Sequence, residues 1–280
     1  GTQTNGAGLD DSSNTLFISN TNQRNQEFNG LIDEVRIYNR ALTADEVKRL
    51  YKIGSTFVVN KTRKDTLTEG LVGHWTFDGA DMDGNRALDR SGNGNTGALT
   101  NGPKKVAGKI GQALDFDGVN DHVNVGTVLD NLAAITISAW IYPKSQGNGD
   151  FGQVIVKGFG VTPLVGGWKF GYEGNSGADG QFEFTIDYDT DLNIRTSQSM
   201  VLLNQWQHVL ITWDGTTNAT GVHIYINGVE TTYAVQTNAS GSRRNDSNDD
   251  LFIAIDGNVA YFNGLIDEVR VYNRALTADE

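Results

Sequence analysis

Residues 262–280 read FNGLIDEVRVYNRALTADE, and the same 19 residues stand at 28–46 with a single difference, Ile37 in place of Val271. Val269 and Val271 alternate with charged residues, which is the period of a β-strand with one buried face. The Thr-Ala-Asp-Glu box that closes the stretch is typical of a helix start. A strand and helix start that occur twice indicate an internal repeat.

The two copies differ after the box. Glu46 is followed by Val47, Leu50 and Tyr51 at the apolar spacing of a short helix, whereas the second copy stops at the box. We therefore expect a piece of a longer tandem array. The predicted parts are 1–51, the last strands and helix of a preceding repeat, 52–67, a linker, and 68–280, a second domain truncated at its final helix.

From residue 68 onward, apolar and polar residues alternate and helical spacing is almost missing. Phe182, Phe184 and Ile186 alternate with polar residues, as in a half-buried strand. Asn227-Gly228 between two such runs is a hairpin signal, because both residue types tolerate positive φ. The pattern predicts an all-β fold, an antiparallel two-sheet jelly-roll sandwich, with a short C-terminal helix per repeat.

Seven motifs follow one another along the chain: GLVGHWTFDG (70–79), DRSGNGNTG (89–97), ALDFDG (113–118), ITISAWI (135–141), WQHV (206–209), YING (225–228) and FNGLIDEVRVYNRAL (262–276). In this order they resemble the laminin-G-like, concanavalin A-like jelly-roll domains of bacterial surface and secreted proteins. The resemblance covers about 68–280, and residues 16–51 resemble the end of a second such domain. It implies the sandwich fold, but the same fold serves lectins, adhesins, enzyme appendages and spacers.

Asp267 carries the clearest chemical signal. It is in phase with Val269 and Val271, which predicts that it lies on the apolar face of the last strand. A buried carboxylate needs a cation or hydrogen bonds. The resemblance implies that the first and last strands are neighbours, which brings Asp78 close, and that a structural calcium ion binds nearby.

The resulting prediction is a Ca²⁺ site with oxygen ligands from Asp78, Asp89, Asn93, Asn95 and Asp267. The alternative is that Asp267 accepts backbone amides from the loop that starts at Asp89, without a metal.

A sugar site is predicted around Trp168, in the Gly-rich stretch 158–180, which we expect to be a loop. Aromatic faces beside carboxylates are typical of sugar recognition. The predicted ligand-binding residues are Trp168, Tyr172, Asp187, Tyr188 and Asp189. The other four tryptophans are predicted to lie in the core: Trp75, Trp140, Trp206 and Trp213.

Glu183, Asp187 and Asp189 share a strand face, which invites a glycoside hydrolase interpretation. Their spacing differs from the Glu-x-Asp-x-x-Glu arrangement of hydrolases built on this sandwich, and a solvated polar face is the simpler explanation. The four histidines have no ligand or triad spacing. We therefore predict that the protein is not an enzyme.

The charge balance limits the partners. The 280 residues include 22 Lys and Arg against 34 Asp and Glu, for a net charge of −12, and they contain no cysteine. This acidity argues against nucleic-acid binding, and no apolar run is long enough to insert into a membrane.

Two functions remain. The first is a non-catalytic repeat domain of an extracellular bacterial surface fibre, stalk or adhesin, stabilised by calcium and built head to tail from neighbouring copies. In that case residues 16–46 would complete the sandwich of a neighbouring molecule. The second is a carbohydrate-binding module that anchors a cell or an enzyme to polysaccharide or surface glycans.

Overall fold

The computed structural model describes residues 66–147, 151–158, 166–174, 180–257 and 260–280, together with residues 32, 35, 37–43 and 47. The chain forms two compact units, Gly1–Lys64 and Asp65–Glu280. Of the predicted linker, 52–67, only Thr66 and Leu67 fall within the described residues. Most of residues 1–51, predicted to form the last strands and helix of a preceding repeat, also lie outside them.

The second unit consists almost entirely of antiparallel strands. They are β1 (Leu71–Trp75), β2 (Met82–Asp83), β3 (Arg86–Ala87), β4 (Gly97–Thr100), β5 (Lys104–Ala107), β6 (Gln112–Asp117), β7 (His122–Gly126), β8 (Ile135–Pro143), β9 (Phe151–Lys157), β10 (Trp168–Glu173), β11 (Gln181–Ile186), β12 (Tyr188–Thr190), β13 (Leu192–Thr196), β14 (Gln207–Trp213), β15 (Val222–Ile226), β16 (Val229–Glu230), β17 (Tyr233–Thr237), β18 (Ser240–Arg243), β19 (Leu251–Ile253), β20 (Ile255–Asp256), β21 (Ala260–Tyr261) and β22 (Asn263–Tyr272).

Among the described residues of the second unit, helical structure is limited to three single-turn 3₁₀ helices, Thr66–Thr68, Gly79–Asp81 and Ala219–Gly221. Within the described ranges, no helix has the length and apolar character needed to cross a membrane.

Two sheets make up the sandwich. The first sheet has the order β16-β15-β14-β8-β22-β6-β5, and β1 pairs with β22 on the side that β6 also occupies. The second sheet has the order β17-β13-β11-β10-β9-β19-β7-β4-β3-β2, and two ribbons, β12–β18 and β20–β21, stand apart. The predicted all-β sandwich is confirmed, as is the antiparallel pairing of the first and last strands, in which Trp75 lies opposite Val269.

The core lies between the two sheets. Alternate residues of the central strands enter it, as the period of two requires, and its largest members include Trp75, Trp213, Phe116, Phe170 and Phe184, all at most 1% exposed. Burial of one such ring contributes on the order of 2–3 kcal/mol. The core position predicted for Trp75 and Trp213 is therefore confirmed.

The hairpin predicted at Asn227-Gly228 is also confirmed. Both residues have positive φ, 52° and 79°, between β15 and β16. This geometry matches the right-handed twist of the flanking strands, and Gly228 adopts it without strain.

The Thr-Ala-Asp-Glu box has different surroundings in the two copies. In the second copy it forms a turn in which the Glu280 amide donates to the Thr277 carbonyl at 3.1 Å, and the Glu280 carboxylate accepts the Thr277 amide at 3.0 Å. In the first copy Val47 is helical, and its amide donates to the Thr43 carbonyl at 3.0 Å. A backbone hydrogen bond to the threonine carbonyl of the box is therefore present in both copies, and Val47 is helical in the first.

Candidate functional site

A β-bulge in β22 decides where Asp267 lies. Ile266 lies opposite Ile141 and Asp267 opposite Trp140, after which the register shifts, and Glu268 at the bulge has a φ of 51°. Because paired residues share a face of a sheet, Asp267 lies beside Trp140 on the outer face of the first sheet, away from the core that Ile266 enters. The prediction that Asp267 lies on the apolar face is wrong, because the extra residue of a bulge interrupts the alternation.

The Asp267 carboxylate is nevertheless fully buried, because the turn between β5 and β6 covers it. The Ile110 amide donates to its Oδ2 at 2.9 Å, and a Cβ on Gly108 would lie only 2.6 Å from this oxygen. At the other side of the turn, Asp78 Oδ1 accepts the Gln112 amide at 2.7 Å. The structure thus brings Asp78 and Asp267 to the same turn.

The other three predicted metal ligands hold a different loop. Asp89 accepts the backbone amides of His74 at 3.0 Å and of Asn95 at 2.9 Å. The side-chain amides of Asn93 and Asn95 donate to carbonyl oxygens of β1. These residues fasten the loop 89–97 to β1. The alternative prediction was right that Asp267 accepts a backbone amide but wrong about the loop, since the donor belongs to the β5–β6 turn.

One oxygen at this turn is left over. Asp267 Oδ1 is buried and has no hydrogen-bond partner among the described residues. Burial raises the pKa of the Asp267 carboxyl to about 6, although the amides of Ile110 and Lys109 favour the ionised form. A buried oxygen of this kind fits a hard cation such as Ca²⁺, with backbone carbonyl oxygens as further ligands.

The predicted five-residue ligand set is not assembled at this point. In the part of the chain that the structure describes, no three His, Asp or Glu side chains lie close enough together to hold a metal ion. Of the five residues, only Asp267 has a buried side-chain oxygen without a hydrogen-bond partner among the described residues.

The structure reverses the predictions for three tryptophans and a tyrosine. Trp168 and Tyr172 belong to β10 rather than to a loop and are 0% and 1% exposed, so neither presents a ring face to a sugar. Trp140 and Trp206, predicted in the core, are half-buried outside it, and Trp206 meets Tyr142 edge to face at 5.7 Å. The alternation of β8 indicates the outward position of Trp140, since it stands between Ala139 and Ile141, which face the core.

The predicted Asp187-Tyr188-Asp189 segment fastens the β12–β18 ribbon. Asp187 is buried, its Oδ1 lies 3.3 Å from Arg244 Nε, and burial raises its pKa to about 6 against the opposing charge of Arg244. Asp189 is exposed and accepts the Ser242 amide at 2.9 Å, while Tyr188 joins the core. These contacts give the three residues a structural role.

The outer face of the second sheet carries a cluster that the sequence analysis missed. In register across β9, β10, β11 and β13 stand Gln153, Gly171, Glu183 and Arg195. Glu183 is only 5% exposed, so its explanation as part of a solvated face is wrong. With two adjacent residues these side chains form what we call the polar patch: Gln153, Lys169, Glu183, Arg195 and Asp256.

Glu183 lies at the centre of the polar patch. Its Oε1 accepts Arg195 Nε at 3.1 Å and Asn193 Nδ2 at 2.6 Å, and Lys169 Nζ lies 3.7 Å from its Oε2. Lys169 Nζ is also 4.0 Å from Asp256, on the β20–β21 hairpin that packs against β9. Donors and acceptors therefore alternate across the patch.

Two acceptors in the polar patch lack donors. Gln153 Oε1 and Asp256 Oδ1 are buried without a hydrogen-bond partner among the described residues. Gln153 is 2% exposed and Asp256 is 8% exposed. Burial raises the pKa of Asp256, although Lys169 opposes the shift. The Gln153 side chain packs against Gly171. Any larger residue at position 171 would displace it, because a Cβ on Gly171 would lie 2.6 Å from Gln153 Oε1. Each unmet acceptor costs about 1–3 kcal/mol, which a hydroxyl donor from a ligand would recover.

The signal for the polar patch was present in the sequence but incomplete. Glu183 was noticed because it alternates with Phe182 and Phe184. Its neighbours Gln153 and Asp256 are remote in the chain: the strand order β13-β11-β10-β9 aligns Gln153 with Glu183, and the packing of the β20–β21 hairpin against β9 brings Asp256 close.

Comparison with known proteins agrees with this architecture. A laminin G family model, described as the concanavalin A-like lectin/glucanases superfamily, matches residues 1–48 and 117–280. A search of curated proteins finds no significant match.

Solved structures with the same fold include domain 4 of AbnA, a GH43 extracellular arabinanase from Geobacillus stearothermophilus, in complex with arabinotriose. The identity is 22% and the TM-score 0.53, over 75% of this chain and 95% of that domain. The receptor binding domain of botulinum neurotoxin C/D mosaic serotype is 14% identical with a TM-score of 0.53, over 76% of this chain and 50% of the toxin domain. At these identities the similarity establishes the fold alone.

Proposed function

Because the chain belongs to the concanavalin A-like lectin/glucanases superfamily, we propose that its second unit is a non-catalytic carbohydrate-binding module. It recognises a polysaccharide or surface glycan through the polar patch. The proposal places the module outside the cell, in a bacterial surface or secreted protein, where such glycans occur.

The observation that carries this proposal is the pair of unmet acceptors in an otherwise paired patch. Gln153 Oε1 lies beside Gly171, and Asp256 Oδ1 belongs to the carboxylate that lies 4.0 Å from Lys169 Nζ; both oxygens are buried without a hydrogen-bond partner among the described residues. A sugar presents several hydroxyls within a few ångströms, each able to donate and to accept. A hydroxyl group can donate to an acceptor of this kind and accept from the cations of the patch.

The arabinanase domain supports the class of ligand. That domain shares the sandwich and holds arabinotriose, so a member of the fold group binds a neutral oligosaccharide. In the present chain, the carboxylate of Glu183 is engaged by Arg195, Asn193 and Lys169. These contacts favour a role for Glu183 in positioning Arg195 and Lys169 to bind the ligand.

The binding proposal is tested with a glycan array followed by calorimetry, with arabinotriose as the first probe. Asp256→Ala and Lys169→Met should each weaken binding of an array hit by tenfold or more, because each removes a group from the patch. Tyr225→Phe, on the outer face of the first sheet, is the control and should bind like the wild type. An array without hits, or hits insensitive to both patch variants, would refute the proposal.

We further propose that a Ca²⁺ ion binds at Asp267, with carbonyl oxygens of the surrounding turn as additional ligands. The unpaired Oδ1 of this buried carboxylate supports the proposal. Calcium should raise the melting temperature of the wild-type chain and leave that of Asp267→Asn unchanged. The exposed Asp83→Asn variant serves as control and should respond like the wild type. An equal response in all three would overturn the site.

A further inference from the structure

We propose that the sandwich accepts residues 28–51 of a second copy of this chain in the place of its own residues 262–280, so that copies join by exchange of the last strand. The inference rests on the internal repeat and on the surroundings of β22. It is independent of the glycan-binding proposal.

The same side chains have opposite surroundings in the two copies. In the first copy Ile32, Val35, Ile37 and Tyr38 are 44%, 52%, 71% and 44% exposed. Their counterparts Ile266, Val269, Val271 and Tyr272 are 0%, 0%, 0% and 3% exposed. An apolar strand sequence that is buried on both sides in one place and exposed in the other is suited to strand addition.

The place of β22 is specific for this sequence. The strand pairs with β8 on one side and with β6 and β1 on the other, so its backbone is bonded along both edges. Three charged side chains fit local partners: Asp267 accepts the Ile110 amide, and Glu268 and Arg270 contact His74. The first copy carries the same residues in the same order, as Asp33, Glu34 and Arg36.

The shared stretch differs at a single buried position, where Ile37 would replace Val271. One added methylene in a packed core costs or contributes about 1 kcal/mol, depending on the fit. The remaining 18 positions are identical, so exchange neither gains nor loses their contacts.

Strand exchange of this type links one chain to the next. A chain that donates residues 28–51 and accepts the same residues from another copy forms a head-to-tail contact, which propagates unless it closes into a ring. Because β22 must leave before another strand enters, exchange is expected during folding at high concentration rather than after mixing of folded chains.

Paired cysteines test the exchange, since the chain contains no cysteine of its own. Arg270 lies opposite Ser138 in the register of β22 and β8. In an Arg36→Cys, Ser138→Cys variant, a disulfide between residues 36 and 138, identified by peptide mapping, is expected when residue 36 takes the place of residue 270. Refolding at high concentration under mild oxidation should give covalent dimers and higher multiples, and dilute refolding should give fewer.

The Arg270→Cys, Ser138→Cys variant is the matched control, because it should close a disulfide within one sandwich and thereby verify the geometry. If the control closes while the Arg36→Cys variant keeps free thiols at every concentration, the proposal is overturned. A 36–138 disulfide confined to monomers would also overturn exchange with a second copy. Tryptophan fluorescence reports correct folding of either variant, because all five tryptophans lie between residues 75 and 213, so the test does not depend on the glycan proposal.

A peptide of residues 28–51 provides a second test. It should be retained when the chain is refolded in its presence, and it should lower the yield of covalent multimers several-fold. A control peptide with Ile32, Val35 and Ile37 replaced by Ser should not be retained. Equal retention of the two peptides would contradict the proposal.

Discussion

Buried carboxylates account for much of the chemistry of this protein at the scale of single residues. Asp267 is held by a turn amide, Asp187 by Arg244 and Glu183 by Arg195. Each carboxylate is buried by a different element, and the hydrogen bonds and cations that offset the cost of its burial differ from one to the next. Asp267 Oδ1 and Asp256 Oδ1 are among the buried oxygens of the described residues that lack a hydrogen-bond partner, and an unpaired buried oxygen of this kind costs free energy.

The pKa of Asp187 leads to a prediction about stability. Its value of about 6 in the folded protein lies above the ordinary 3.8, so the fold binds the proton more tightly than the unfolded chain. The stability contributed by the neutral acid is fully present below about pH 4 and is lost as pH rises through 6. Asp187→Asn, which resembles the neutral acid, should match the wild type near pH 4 and exceed it by up to about 3 kcal/mol at pH 8.

Urea unfolding at the two pH values measures this difference. Asp189→Asn is the control on the same ribbon, because Asp189 is exposed, and its effect should be within about 0.5 kcal/mol at both pH values. A stability difference for Asp187→Asn that does not change with pH would contradict the assignment.

The β5–β6 turn shows how an element is shaped by residues outside it. Asp78 and Asp267, from the two chain-terminal regions of the sandwich, both accept amides of this turn. The approach is close enough that Gly111, with a φ of 57°, has no room for a side chain, since a Cβ would lie 1.9 Å from Asp78 Oδ1. The turn is thus part of the closure between the first and last strands.

Substitution of this glycine should be costly. Gly111→Ala should destabilise the fold by about 2–4 kcal/mol, from positive φ and from displacement of Asp78. Gly102→Ala is the matched control, because Gly102 also has positive φ, 99°, but nothing within 4 Å of the added Cβ. It should cost only about 1 kcal/mol. Chemical denaturation distinguishes the two, and equal losses would show that the contact with Asp78 is unimportant.

At the scale of the whole molecule, the sandwich has a self-contained core. Every residue of the described core cluster lies between Trp75 and Val271, within the second unit. The five tryptophans of the chain also fall in this range. Tryptophan fluorescence therefore reports unfolding of this unit.

Removal of residues 1–64 should leave the unfolding transition of the second unit in place. We expect the melting temperature, followed by tryptophan fluorescence, to change by no more than about 2 °C, because no residue of the described core is removed. Glycan binding should persist, while formation of cross-linked multimers should cease. A large loss of melting temperature would show that the first unit stabilises the second.

Sequence patterns were sufficient for the fold class, the hairpin at Asn227-Gly228 and the neighbouring positions of the first and last strands. These features depend on local alternation, on turn residues and on a set of motifs in a recognisable order. Period two also placed Phe182 and Phe184 in the core correctly. The near-identity of residues 28–46 and 262–280 is likewise a property of the sequence by itself.

The tertiary structure decided the rest, because it depends on contacts between residues distant in the chain. The bulge at Glu268 moved Asp267 to the outer face, and a turn from another strand pair buried it there. The polar patch exists because strand order aligns Gln153 with Glu183 and places Asp256 near Lys169. Alternation along one strand specifies two faces, but the register between strands and the layers that cover them determine which face is buried and which can bind.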